Sequence, residues 1–122
     1  MLKILIVDDN PVNQKFATLS LHKEYDIDTA DHGLEALKKV QVKKYDLILM
    51  DLFMPVMDGA EATMKIRQLD NNLNQNIPIV FYTTSDLESD RRRCLQNGAN
   101  DYLIKPLKAG YLQKRIKSIL KV

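Results

Sequence analysis

The segment LILMD, residues 47–51, is the most informative part of this chain. Four consecutive apolar residues that end in one aspartate, Asp51, are typical of a strand buried on both faces of a parallel sheet. A second apolar run, ILIV at 4–7, ends in the same way at Asp8 and Asp9. Open α/β sheets carry their sites at the carboxyl ends of the strands. Three carboxylates are therefore expected at one edge, where they repel one another unless a divalent cation binds between them.

The composition is that of an ordinary globular domain, and we expect residues 1–122 to form a single one. The 18 basic and 16 acidic residues leave a net charge of +2, a balance that does not indicate a nucleic-acid partner. The single cysteine, Cys94, excludes an internal disulfide framework and fits a reducing cytosol. The sequence shows neither a signal-peptide pattern nor a run of transmembrane length, so we expect a cytoplasmic domain without membrane contact.

Short apolar runs alternate with segments of helical periodicity five times, which predicts a parallel sheet with helices on both faces. The second strand alternates Ile27 and Thr29 with acids, which predicts an edge position. A polar loop is expected at 70–76. The predicted strands are 3–7, 26–30, 46–50, 77–83 and 101–104, and the predicted helices start near Pro11, after Gly33 and after Asp58-Gly59 and cover 87–97 and about 109–121.

Two further strand ends contribute polar side chains to the same edge. The fourth predicted strand ends in Thr83 and the fifth is followed by Lys105-Pro106. Strands of one parallel sheet share their carboxyl edge, so a hydroxyl group and an ammonium group join the three acids. Asp51 stands alone at the end of its strand and is the expected nucleophile, because a carboxylate can accept a phosphoryl group as an acyl phosphate.

A magnesium ion among the acids would neutralise charge on the phosphoryl oxygens during such a transfer. Mg²⁺ takes oxygen ligands: Asp9 and Asp51 offer carboxylates, and Asp8 can hold a metal-bound water. Lys105 can pair with a second phosphoryl oxygen, and Thr83 can donate a hydrogen bond to a third. That hydrogen bond would pull the Thr83 loop inward and convert a local charge into an altered surface.

Together these residues resemble the receiver domains of the two-component response-regulator family. The motifs that carry the resemblance follow the family's order: Asp8-Asp9, MDLFMP at 50–55, Asp58-Gly59, Thr83 and GANDYLIKP at 98–106. The resemblance implies a (βα)5 flavodoxin-like three-layer sandwich with strand order 2-1-3-4-5. It also implies transfer of a phosphoryl group from a partner's phosphohistidine to Asp51 in a signalling phosphorelay. Mg²⁺, or Mn²⁺, would bind Asp9, Asp51 and the backbone carbonyl of Phe53, beside Asp8.

The resemblance also assigns a conformational switch. Tyr102 matches the family's switch aromatic, which turns inward as Thr83 moves. The Lys105-Pro106 bond is typically cis in the family, which places Lys105 at the site. Such a domain catalyses only its own phosphorylation and dephosphorylation, so we do not expect a stand-alone enzyme; whether the chain is a fragment of a hybrid histidine kinase stays open.

The residues after the acid pair, NPVNQK at 10–15, resemble the receivers of hybrid histidine kinases. The implied partner is a histidine kinase or a histidine phosphotransfer protein, docking on helix 1 and the loops around Asp51. Partial exposure of Phe16 or Val12 would suit this docking. A stand-alone regulator and an excised receiver both fit, and a homodimer through helix 4, strand 5 and helix 5 is left open. The predicted apolar stripe of helix 1 is wide and comprises Val12, Phe16, Ala17, Leu19 and Leu21.

Three other functions fit part of the pattern. A haloacid-dehalogenase-type phosphatase also uses a nucleophilic aspartate, but its general acid is replaced here by Asn10, which cannot transfer a proton, and the chain has no room for a cap domain. A flavin-binding module would need a Ser/Thr/Gly-rich phosphate loop after the first strand. A receiver-like interaction module that is never phosphorylated stays the main alternative, although such modules usually lack one of the acids or the lysine.

Overall fold

The computed structural model describes residues 1–69 and 73–121, in which strands and helices alternate. Residues 70–72 of the predicted polar loop lie outside this part of the chain. None of the helices in the described ranges is long and apolar enough to cross a membrane. The elements are β1 (Lys3–Val7), α1 (Pro11–Leu21), β2 (Asp26–Ala30), α2 (Gly33–Val42), β3 (Leu47–Met50), α3 (Gly59–Arg67), β4 (Ile79–Thr83), α4 (Glu88–Gln96), β5 (Asp101–Ile104) and α5 (Ala109–Leu120).

The five strands form one parallel sheet in the order β2-β1-β3-β4-β5, which confirms the predicted fold class. β1 and β3 are neighbours inside the sheet, and Val7 lies beside Met50. β2 is an edge strand, as its acids predicted. Every side chain of β3 is at most 2% exposed, because apolar cores cover both faces of the sheet.

Alternate side chains of each strand enter two separate cores, one on each face of the sheet. On one face, Ile48 and Phe81 pack with residues of α2 and α3 such as Val40 and Ile66. On the other face, Leu49 and its neighbours pack with residues of α1 and α5. The result is the expected three-layer sandwich, in which β1 and β3 deliver their carboxyl ends to the middle of one edge.

The boundaries differ slightly from the predicted ones. β4 begins at Ile79 rather than at residue 77, because Pro78 has no N–H to donate to the ladder. The Pro78 carbonyl still accepts a hydrogen bond from Ile48 at 2.9 Å. The other differences are one residue each: β3 begins after Asp46, α4 excludes Leu87 and Asn97, which cap it, and α5 ends at Leu120.

The apolar stripe predicted on α1 is not buried as one face. Ala17 and Leu21 pack in the core and are 3% and 1% exposed. Val12, Phe16 and Leu19 are 74%, 51% and 59% exposed, because a helix that covers one face of a sheet buries only the side that it turns to the sheet. These three residues, spaced by about one helical turn, form an exposed apolar strip, which we call the α1 strip.

Candidate functional site

The register of the sheet brings the three carboxylates together. Asp8 and Asp51 directly follow the paired residues Val7 and Met50. One carboxylate oxygen from each of Asp8, Asp9 and Asp51 lies within 4.8 Å of the other two. Asp8 is buried, Asp51 is partly buried and Asp9 is exposed, so the cluster is open to solvent on one side. Oxygen donors at this spacing suit a hard divalent cation.

Both carboxylate oxygens of Asp8 already accept hydrogen bonds from the protein. Oδ1 accepts one from the backbone N–H of Asn10 at 2.9 Å, and Oδ2 accepts one from Lys105 Nζ at 2.8 Å. The Asn10 side chain in turn caps α1 by accepting from the N–H groups of Val12 and Asn13. Asp8 therefore anchors the loop and the lysine, and it suits contact with a cation through water better than direct ligation.

Asp9 and Phe53 are the groups that remain available to a cation. The Asp9 carboxylate makes no hydrogen bond or ion pair with the described part of the chain. Phe53 is 54% exposed in the loop after β3, and its carbonyl accepts no hydrogen bond from residues 1–69 or 73–121. With Asp51 they offer two carboxylates and one carbonyl, which is a donor set that fits Mg²⁺.

Burial raises the pKa of Asp51 above its ordinary value, because desolvation disfavours the charged carboxylate. The Lys105 ammonium, with Nζ 3.6 Å from Asp51 Oδ2, lowers this pKa, and the charge of Asp8 raises it again. The Leu52 N–H, which donates to Oδ1 at 2.8 Å, and the nearby Thr83 hydroxyl also favour the charged form. On balance Asp51 is harder to ionise than a free aspartate, and a cation at the site would oppose this effect.

Lys105 reaches the acids from the end of β5. Its backbone N–H donates to the Thr83 carbonyl at 2.7 Å, and the Lys105–Pro106 bond is cis, as the resemblance implied. Nζ also lies 5.3 Å from the centroid of the Tyr82 ring, which is a cation–π distance. The sequence analysis missed Tyr82. No local signal marked it, because neighbouring residues of a strand face opposite sides of the sheet and Tyr82 does not share the face of Thr83.

Thr83 is the last residue of β4, and Tyr102 lies in β5 beside Phe81. Thr83 is fully buried, yet in the described residues its hydroxyl has no partner at hydrogen-bond distance and geometry. An unsatisfied buried hydroxyl costs about 1–3 kcal/mol, so a ligand that brings an acceptor oxygen to Thr83 would relieve this cost. The Tyr102 ring stacks on Phe81 at 6.2 Å, and its hydroxyl donates to the Ser85 carbonyl at 2.9 Å. Tyr102 is thus linked to the loop that follows Thr83.

The loop after Asp51 turns sharply into α3. A Cβ on Gly59 would lie 2.1 Å from the Asp51 carbonyl oxygen, so only glycine allows α3 to begin this close to the site. Asp58 caps α3 by accepting from the Glu61 N–H at 2.8 Å. Val56 has a φ of 71°, a left-handed conformation that β-branched residues rarely adopt. This loop therefore stores backbone strain of about 1–3 kcal/mol next to Asp51.

Residues 4–117 match the response regulator receiver domain model, and the chain belongs to that family. It is 38% identical to the receiver domain of sensor histidine kinase PA1611 from Pseudomonas aeruginosa PAO1. The two structures superimpose with a TM-score of 0.89, over 99% of this chain and 98% of that one. The PA1611 receiver was solved with a magnesium ion coordinated in its active site cleft.

Relatives of different length share the same region. The chain is 39% identical over 123 residues to hybrid signal transduction histidine kinase F from Dictyostelium discoideum, covering 98% of this chain and 11% of the relative. It is 38% identical over 122 residues to response regulator ArlR from Staphylococcus aureus (strain Mu50), covering 99% of this chain and 53% of the relative. The chain therefore spans about half of one curated relative and about a tenth of the other.

Proposed function

We propose that this receiver domain, residues 1–122, accepts a phosphoryl group on Asp51 from a phosphohistidine, in a reaction that requires Mg²⁺ or Mn²⁺. The observation that carries the proposal is the convergence of Asp51 with two further carboxylates and with Lys105 at one edge of the sheet. As a domain it catalyses only its own phosphorylation and dephosphorylation. A cytoplasmic location is part of the proposal, since the free Cys94 thiol suits a reducing compartment.

The reaction needs one nucleophile and several groups that balance charge. An Asp51 carboxylate oxygen attacks the phosphorus of phosphohistidine; the O–P bond forms as the P–N bond breaks, and the imidazole leaves with the electron pair and takes a proton from solvent. Asp9, Asp51 and the Phe53 carbonyl would hold the metal, which neutralises charge on the phosphoryl oxygens. Lys105 pairs with another phosphoryl oxygen. To do so, its ammonium group must move away from the Asp51 carboxylate and contact both Asp8 and the phosphoryl group.

Phosphorylation would also supply the acceptor that Thr83 lacks. The buried Thr83 hydroxyl is positioned near Asp51, so a phosphoryl oxygen there can accept its hydrogen bond. Any shift of Thr83 moves the loop that follows it, where Tyr102 donates to Ser85. Phosphorylation at Asp51 is thereby transmitted to the surface formed by α4 and β5.

The surface next to the site suits a protein phosphodonor, namely a histidine kinase or a histidine phosphotransfer protein. The α1 strip is exposed, and a groove of about 360 Å³ runs from it to Lys105. An apolar surface of this kind favours docking of a partner's apolar face. Exposed apolar residues on the other side, Leu87, Ile104 and Tyr111, leave room for a homodimer through α4, β5 and α5. The groove is lined by Val12, Asn13, Phe16, Tyr82, Thr84, Lys105 and Pro106.

Intact-mass measurement after incubation with acetyl phosphate and Mg²⁺ tests the proposal. We expect one phosphoryl adduct on the wild type, none on Asp51→Ala or Asp51→Asn, and none when EDTA removes the metal. Asp26→Asn is the matched control and should leave labelling unchanged. Asp26 is an exposed acid at the amino end of β2, whereas the site lies at the carboxyl ends of the strands. A second arm uses a phosphorylated histidine phosphotransfer protein as donor. If neither donor labels the wild type, the unphosphorylated interaction module is the better account.

A further inference from the structure

The side-chain amide of Gln14 binds the carboxyl ends of two strands. Its Nε2 lies 2.6 Å from the carbonyl oxygen of Asp8, 3.1 Å from that of Ala30 and 2.8 Å from Asp31 Oδ1. All three neighbours are acceptors, so the nitrogen end of the amide, and not the oxygen end, must face them. Gln14 lies on α1, and the contacts tie this helix to the ends of β1 and β2.

One of these contacts acts on the backbone of the acid pair. The Asp8 carbonyl belongs to the peptide group that joins Asp8 to Asp9, so a hydrogen bond to its oxygen fixes the plane from which the Asp9 side chain extends. The Asp9 carboxylate itself has no partner in the part of the chain that the structure describes. Its direction therefore depends on how firmly its backbone is held.

We propose that Gln14 is a positioning residue for the cation site, which it serves by holding the Asp8–Asp9 peptide so that Asp9 points at Asp51. The inference rests on the proposed metal site. It deepens that site by adding a group that touches neither the metal nor the phosphoryl group. Residues that orient metal ligands in this indirect way typically change metal affinity by 10- to 100-fold when they are removed.

A matched pair of variants tests the inference. Gln14→Leu removes the amide with little change in size. Gln113→Leu removes the corresponding amide on α5, whose Nε2 donates to the carbonyl of Ser20, near the other end of α1, at 2.5 Å. Both glutamines are half-buried and tie α1 to another element, but only Gln14 contacts the acid pair. Each variant is titrated with Mg²⁺ alone by calorimetry, and its unfolding in urea is measured in EDTA.

We expect the Mg²⁺ dissociation constant to rise about tenfold in Gln14→Leu and to stay unchanged in Gln113→Leu, while both lose similar stability. Gln14→Asn, whose amide is too short by one methylene, should weaken binding as well and serves if Gln14→Leu does not fold. Wild-type affinity in the Gln14 variants, or an equal loss in Gln113→Leu, overturns the positioning role. Failure of the wild type to bind Mg²⁺, or unchanged binding by Asp9→Asn, instead overturns the proposed metal site itself.

Discussion

β3 leads into the loop at 51–58, and α4 contacts the same loop through Arg93 and Asp58, but the two elements are packed in opposite ways. All four side chains of β3 are at most 2% exposed. In α4, which the structure describes in full, only Cys94 is buried. Polar contacts hold α4 instead: Arg93 to Asp58 at 2.9 Å and the Asn97 side chain to the Ala60 carbonyl at 2.9 Å. β3, which leads into Asp51, is therefore held by apolar packing on both faces, whereas α4 can shift at a low free-energy cost.

Truncation of one side chain in each region should show the largest contrast. Ile48→Ala empties part of a fully buried position in β3 and is expected to lower the free energy of unfolding by roughly 2–5 kcal/mol. Leu95→Ala in α4 removes a half-buried side chain and should cost about 1 kcal/mol or less. Urea denaturation measures both values. Equal losses would show that α4 is packed as firmly as the sheet.

Two glycines give the next contrast. Gly59→Ala puts a methyl group against the Asp51 carbonyl and should destabilise the fold by roughly 1–3 kcal/mol. A Cβ added at Gly110 in α5 would have no neighbouring atom within 4 Å beyond its own helix backbone. Gly110→Ala should therefore stabilise the fold by roughly 0.5–1 kcal/mol, because alanine loses less backbone entropy than glycine in a helix. Thermal unfolding of both variants measures the difference. Two changes of the same sign would contradict the close approach of α3 to the site.

The raised pKa of Asp51 makes the free energy of unfolding depend on pH. Because its folded pKa is raised above 3.8, the folded state binds more protons, and the free energy of unfolding falls as pH rises from 3.8 through the raised pKa. In EDTA at pH 7, Asp51→Asn should therefore be more stable than the wild type, and this advantage should vanish below pH 3.8. Denaturation at both pH values measures it.

Mg²⁺ is the control for this prediction, because its binding to the proposed site would stabilise the wild type more than the variant, which lacks one of the carboxylates. A variant that is less stable than the wild type in EDTA would show that the Lys105 ion pair outweighs burial.

The smallest effect is expected at the α4 surface. Arg93→Ala breaks an ion pair with Asp58 whose side chains are 48% and 31% exposed, and such pairs contribute at most about 1 kcal/mol. Arg92→Ala is the control, because the Arg92 side chain is exposed and makes no hydrogen bond or ion pair with the described residues. Thermal unfolding should separate the two variants at low salt and not at 1 M NaCl, roughly where screening acts within a few Å. A loss that salt leaves unchanged would point to packing rather than charge.

Most of the architecture could be predicted from local patterns. An unbroken apolar run such as LILM at 47–50 is stable only where both faces are covered, so it predicted a strand inside a parallel sheet. Glycine and proline marked several boundaries, and β4 was placed too early because Pro78 interrupts the ladder. The wide stripe on α1 predicted which residues share one side of the helix, but apolar periodicity does not show which of them a neighbour covers.

The sequence by itself determined which groups stand at the strand ends, because an apolar run and the polar residue that terminates it are local features. Asp8, Asp9, Asp51, Thr83 and Lys105 were all recognisable in this way. Only the tertiary structure decided which of these groups already have a partner, since that depends on donors brought from distant parts of the chain. Lys105 donates to the Asp8 carboxylate, and Gln14 donates to the Asp8 backbone carbonyl. The Asp9 carboxylate is left without a partner among the described residues.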